Sequence, residues 1–173
     1  MSEGSIGGYD SRPEEELTGA GGSYQADTYT LYRRGLELLA RGSAAAAAEL
    51  LSRAAAAEPQ SRSVLEALGR AQFDAGRHAA AARSFRQIVE SSPSDDYAQF
   101  GLGLALARTG DPRAAAEHLA LAAAMRPDLR HYTDALRSVR ATLAARSRRP
   151  DGAGNNGAHG TDGTTEMTEG TAQ

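Results

Sequence analysis

A step of 34 residues runs through the middle of this chain. Gly35, Gly69 and Gly103 keep it, as do Gly42, Gly76 and Gly110, and so do Pro59, Pro93 and Pro127. Three punctuation residues locked to one period constrain the fold more than any other feature. A fixed period of roughly 20–50 residues marks stacked supersecondary units, each of which buries its apolar face only against its neighbours.

Composition sets what the units are made of. Alanine supplies 36 of 173 residues and favours helix, where it loses no side-chain entropy. All 19 Lys+Arg residues are arginine, a bias that reads as codon usage. The absence of cysteine excludes disulfides, thiolate metal sites and cysteine nucleophiles. No apolar stretch approaches the roughly 20 residues of a membrane span. Glu3, Gly4, Gly7, Gly8 and Asp10 do not make a secretory signal, so a soluble, cytoplasmic protein without membrane partners is expected.

The ends differ from the middle. Residues 1–26 and 147–173 carry few large apolar side chains, too few to offset the entropy of ordering, and both are expected to be disordered tails. Charge is also divided. Residues 1–27 hold six acids against Arg12 (−5), residues 28–146 hold 16 Arg against 12 acids (+4), and residues 147–173 hold two Arg against four acids (−2). An acidic stretch at Glu14-Glu15-Glu16-Leu17 could fold onto the basic middle, but a solubilising tail is the simpler reading.

Each unit reads as two helices and a tight turn. In the second, Ser63 and Glu66 have the spacing of a capping box, and Leu65, Leu68 and Gln72 follow on one face. Gly76 ends the first helix, since glycine takes the left-handed C-terminal conformation without steric cost. Ala81, Phe85, Ile88 and Val89 make the stripe of the second helix. Asp111-Pro112 supplies an N-cap acceptor and a proline at the first helical position, and Asp95-Asp96 suits a helix start. Past the third unit, Leu129, Tyr132, Leu136, Val139 and Leu143 stripe one more amphipathic helix, with Arg130, Asp134, Arg137 and Arg140 off the stripe. A terminal helix with one polar face can close a solenoid.

These residues resemble tetratricopeptide repeats. The first unit matches with Leu31, Gly35, Leu38, Gly42, Ala47, Leu51, Ala54 and Pro59, with Arg34 in place of leucine. The second matches with Leu65, Leu68-Gly69, Gly76, Ala81, Phe85 and Pro93, with Ile88 where a small residue is usual. The third matches with Leu102-Gly103, Leu106, Gly110, Ala115, Leu119, Ala122 and Pro127, with Gln99 in place of a large apolar residue. The resemblance implies an all-α, right-handed α-solenoid over 28–146: repeats 28–61, 62–95 and 96–129 and a capping helix 130–146. Mid-helix glycine costs about 0.5–1 kcal/mol relative to alanine, tolerable where a second helix comes close at Ala47, Ala81 or Ala115.

In this family the first helices line a concave groove that holds partner segments. The groove-facing positions here are Tyr29, Tyr32, Leu36 and Leu39; Ser63, Glu66, Arg70 and Phe73; and Tyr97, Phe100, Leu104 and Ala107. Rigid aromatics concentrated on one face favour an interaction site, although short helices could equally tuck several of them into the core. Relatives that capture a Glu-Glu-Val-Asp tail use a clamp of Lys, Asn and Arg. Tyr32, Leu36, Ala67, Tyr97 and Gly101 stand at those positions here, which points to an apolar peptide or helix instead. Arg70, with Glu66 one turn before it, could fix its polarity or be an ordinary surface pair.

Catalysis finds no support. His78, His118, His131 and His159 are scattered and read as solvated side chains, Gly101-Leu102-Gly103 lies inside a helix, and no phosphate-loop motif occurs. A scaffold for a protein or peptide segment, without cofactor or metal, is the expectation, with self-association as an open possibility. The alternative is a nucleic-acid-associated protein using Arg130, Arg137, Arg140, Arg146, Arg148 and Arg149. It is the weaker reading, because acids alternate with arginines elsewhere and the chain is net negative.

Overall fold

The computed structural model describes residues 17–148, with side chains described from residue 27 onward. Seven helices follow one another: α1 (Leu17–Ala40), α2 (Ala44–Ala57), α3 (Arg62–Asp74), α4 (His78–Ser91), α5 (Asp96–Thr109), α6 (Pro112–Met125) and α7 (Arg130–Ser147). Helix α1 is continuous from Leu17, inside the stretch that composition assigned to a tail. Residues 1–16 and 149–173, the rest of the two expected tails, lie outside the described residues.

Each helix packs on the next, and α1, α3, α5 and α7 also touch one another in series. Among the described residues, α2, α4 and α6 make no such contacts with each other. The odd helices therefore form a tight inner layer and the even ones a spread outer layer, so the stack curves around the odd helices.

The 34-residue glycines explain the close pairing within each repeat. A Cβ built on Gly35 would lie 2.6 Å from Leu51, one on Gly69 2.9 Å from the Phe85 ring, and one on Gly103 2.7 Å from Leu119. Ala47, Ala81 and Ala115 are fully buried on the facing helices. One cluster joins Leu65 to Phe85, Ile88, Leu102, Leu119 and Val139 across α3 to α7. A second holds Ala47, Leu51, Ala67, Leu68 and Ala71 between α1, α2 and α3.

The helix ends follow the local sequence with one exception. Gly76 has φ +76°, its N–H donates to Phe73 O at 2.9 Å and that of Arg77 to Gln72 O at 2.8 Å, a glycine-based helix stop. Asp95 and Asp111 each accept the N–H three residues on, at 3.0 Å. The capping box at Ser63 and Glu66 does not form. Helix α3 starts at Arg62 with Ser61 as N-cap and no side-chain cap, so Ser63 is already helical. The turn after Pro59 sets this start, through Ser61 N–H to Glu58 O at 3.1 Å. Glu66 meets Arg62 at 3.6 Å instead.

Gln99 occupies an apolar position and is 2 % exposed. Its amide donates to Pro93 O at 2.9 Å and its carbonyl lies 2.7 Å from His118 Nδ1, so every strong group has a partner. Helix α7 lies against α6 and α5. Tyr132 on it is buried, stacks on Phe100 at 4.3 Å and donates to Asp96 at 3.0 Å.

Candidate interaction groove

The inner layer brings the sequence-selected residues onto one face. Between α1 and α3 lies a hollow of about 140 Å³, lined by Tyr32, Leu36, Leu39, Ser63, Glu66, Ala67, Arg70 and Tyr97. Between α3 and α5 lies a second, of about 190 Å³, lined by Arg70, Phe73, Asp74, Phe85, Tyr97, Phe100, Gly101 and Leu104. Arg70 and Tyr97 border both, so the hollows adjoin. Tyr29 reaches a neighbouring recess beside Tyr32 and Ser63. All ten selected residues, Tyr29, Tyr32, Leu36, Leu39, Glu66, Arg70, Phe73, Tyr97, Phe100 and Leu104, thus lie along this connected surface.

They are not equally free. Tyr29 is 62 % and Leu36 39 % exposed. Tyr32 and Leu39 are half-buried against the first cluster of alanines and leucines, and Phe73, Tyr97, Phe100 and Leu104 rest partly on the larger core. The alternatives of groove and core both apply to these six side chains: one flank packs inward while the other lines a hollow.

Electrostatics centre on α3, where Arg62, Glu66, Arg70 and Asp74 follow each other one turn apart. Arg70 pairs with Asp74 at 3.9 Å rather than with Glu66, which Arg62 takes at 3.6 Å. Burial raises the Glu66 carboxyl above its usual range, partly offset by Arg62. Burial alone would also raise Asp95, but the Arg62 guanidinium and the Ala98 N–H hold it below the usual carboxylate value. The Tyr97 phenol is pushed up by burial. Arg108 stands over the Phe73 ring at 6.0 Å and meets no carboxylate among the described residues.

Phe85 is the lining residue that sequence reasoning left in the core. It rises from the outer helix α4, yet its ring passes between Gly69 and Gly101 to floor the second hollow. A Cβ on Gly101 would lie 2.6 Å from that ring. The signal was present in the sequence as a second glycine, Gly101, beside the periodic Gly103. Asp74 was missed as well.

Two of the histidines, His118 and His78, depart from the solvated reading. His118 is half-buried, and burial followed by Arg86 lowers its pKa. His78 Nδ1 is buried without a hydrogen-bond partner, its ring 5.0 Å from Phe73. His131 is exposed, edge-on to Phe100 at 5.2 Å, and His159 lies outside the described residues. Among the described residues no group of three or more acids and histidines could hold a metal, and no helix is long and apolar enough to cross a membrane. Of the late arginines, Arg137 pairs with Asp134 at 2.6 Å and Arg146 donates to Gly110 O at 3.4 Å.

Solved structures share this architecture. The first tetratricopeptide repeat domain of Spaghetti (RPAP3), bound to the HSP90 peptide SRMEEVD, matches with a TM-score of 0.64 and 18 % identity over 69 % of this chain and 94 % of that one. The Sgt2 domain from Aspergillus fumigatus gives 0.64 and 20 % over 79 % and 90 %. The C-terminal domain of a putative FK506-binding protein from Plasmodium falciparum gives 0.67 and 15 % over 72 % and 94 %. At such identities the likeness is one of fold. No curated protein matches the chain in sequence. The family model for the tetratricopeptide repeat matches residues 32–96 and 66–129, more than half of the 173 residues, and the chain belongs to the tetratricopeptide repeat family.

Proposed function

We propose that this chain is a non-enzymatic interaction module, working in the cytoplasm, that takes a largely apolar peptide or helix in the groove of its inner layer. The observation that carries the reading is the pair of adjoining hollows, walled by Tyr32, Leu36 and Leu39 on one side and Phe73, Phe100 and Leu104 on the other. Aromatic side chains such as Tyr32, Phe73 and Phe100 bury large, rigid surfaces and are suited to anchor an interface, with the leucines completing the apolar wall. Neighbouring inner helices stand about 8–10 Å apart, close to the ~10.5 Å between positions i and i+7 of a helix. An amphipathic helix crossing the stack can therefore set one anchor in each hollow.

The acidic peptide held by the Spaghetti domain is a poor guide here. Tyr32, Leu36, Ala67, Tyr97 and Gly101 offer no cation at the clamp positions, and Glu66 adds a carboxylate between them. The test is fluorescence anisotropy with two labelled probes: a Leu-rich amphipathic peptide with anchors at i, i+3 and i+7, and SRMEEVD. The apolar probe should bind the more tightly, and the double variant Tyr32→Ala, Phe100→Ala should abolish its binding while circular dichroism stays helical. Tighter binding of SRMEEVD, or indifference to the double variant, refutes the proposal.

A further inference from the structure

The hollow between α3 and α5 has a more specific chemistry than the groove as a whole. Its floor is the Phe85 ring, which reaches it only because Gly69 and Gly101 carry no side chain. Tyr97 meets that ring edge-on at 6.2 Å and 71°, and Phe73, Phe100 and Leu104 complete the wall. At about 190 Å³ it exceeds the roughly 150 Å³ of a cavity that holds a benzene ring, room for one large side chain. Four aromatic rings in one small space suit a thioether, which gains from contact with ring edges. The charges at the mouth are Arg70, Asp74 drawn towards it, and Arg108 over Phe73, which meets no carboxylate among the described residues. An occupant with carboxylates beside its apolar side chain complements them.

One segment of this chain has that composition. In residues 149–173, Met167 is the only aliphatic side chain larger than alanine apart from Pro150, and Glu166 and Glu169 flank it. Helix α7 delivers the segment to the correct end of the stack, since Arg146 reaches Gly110 O, two residues beyond Arg108. From Arg146 to Met167 is 21 residues, with Gly152, Gly154, Gly157, Gly160 and Gly163 between them. A chain of that length can reach at most about 70 Å, whereas Leu104 to Gly110 is only about 9 Å of helix.

We propose that the segment after α7 docks Met167 into the α3–α5 hollow of its own molecule, with Glu166 and Glu169 at Arg108 and Arg70, and so competes with partners. It rests on the groove being an apolar binding surface. Tethering supplies an effective concentration of the order of millimolar. A contact with a free dissociation constant of 0.1–1 mM would then weaken a competing ligand about two- to tenfold.

The test uses the full chain labelled with methyl-13C methionine, whose three methyls come from Met1, Met125 and Met167. The Met167 methyl should be ring-shifted away from the free-methionine position. It should return there in Leu104→Asp, and partly in Arg108→Ala, an exposed substitution that leaves the fold intact. The Leu-rich anisotropy probe should bind Met167→Ser two- to tenfold more tightly than wild type. A Met167 methyl at the free position, with probe affinity unchanged by Met167→Ser, overturns the inference. If the probe still binds in that case and is lost in the Tyr32, Phe100 double variant, the groove stands and only self-docking falls. A Met167 shift that grows with protein concentration also overturns it, by assigning the tail to a second copy.

Discussion

The wedge of Phe85 between two glycines gives a test with an unusual sign. In an ordinary exposed helix Gly→Ala stabilises by about 0.5–1 kcal/mol, because alanine has less backbone entropy to lose. At Gly69 the new methyl would stand 2.9 Å from the Phe85 ring, closer than real contacts allow. Gly101 leaves little room on the opposite side, where a Cβ would stand 2.6 Å from the same ring, so the ring would have to shift towards the hollow it floors. Inserting a methyl into such a core costs about 1–3 kcal/mol, so Gly69→Ala should be net destabilising by roughly 1–2 kcal/mol. At a few degrees per kcal/mol for a domain of this size, the melting temperature should fall by about 4–8 °C. In a Phe85→Leu background the obstacle shrinks, and the same substitution should become neutral or stabilising. The double-mutant cycle, read by thermal and urea denaturation followed by circular dichroism, should give a coupling of at least ~1 kcal/mol. A melting temperature that rises on Gly69→Ala in the wild-type background, or a coupling near zero, would show that the ring is not clamped.

Three further outcomes follow from single contacts. Tyr132→Phe removes the bond to Asp96 and should cost about 1 kcal/mol, with faster amide exchange concentrated in α7; uniform exchange would contradict its role in holding that helix. Asp111→Ala should cost about 1 kcal/mol through the lost N-cap of α6, and Asp111→Asn should restore most of it; equal losses in both would show that the cap is not the cause. His118 has a lowered folded pKa, so below the unfolded value near 6.5 the unfolded chain binds the proton more readily. Its contribution is therefore complete above pH 6.5 and is lost as pH falls towards the folded value. The urea midpoint should drop between pH 7.5 and pH 5.5 by more in the wild type than in His118→Gln, and parallel titrations of the two proteins would dismiss the histidine.

The repeat was legible because its determinants are local and recur. Gly35, Gly69 and Gly103 each face the same neighbour in their own repeat, so one period reveals all three. What crosses between repeats was harder to read. Gly101 belongs to the third repeat but makes room for Phe85 of the second, and no pattern within one 34-residue unit expresses that relation. Gln99 breaks the apolar pattern, and only the fold shows that Pro93 O and His118 stand where its amide needs them. The Ser63–Glu66 spacing satisfied a capping rule that the turn at Glu58–Ser61 then pre-empted. The groove positions were legible for the same reason as the repeat, since a residue's place in the unit decides which side of the inner helix it occupies.

The two ends of the stack extend this logic. Val64, Leu68 and Ala71 on α3, and Ala98, Leu102 and Ala105 on α5, are buried on the side that faces the preceding repeat. The same positions on α1 are Thr30, Arg34 and Glu37, all exposed. A further repeat stacked there would bury a guanidinium and a carboxylate, at several kcal/mol per ion unless each found a good partner. At the other end, Arg137 on α7 stands 34 residues after Gly103, where each earlier inner helix has the glycine that admits its second helix. A fourth outer helix could not approach α7 as α6 approaches α5. Continued regular stacking of repeats directly on α1 or α7 is thus disfavoured by the chain's own side chains. Self-association through the groove would compete with the proposed ligand and would be sensitive to the same Tyr32 and Phe100 substitutions.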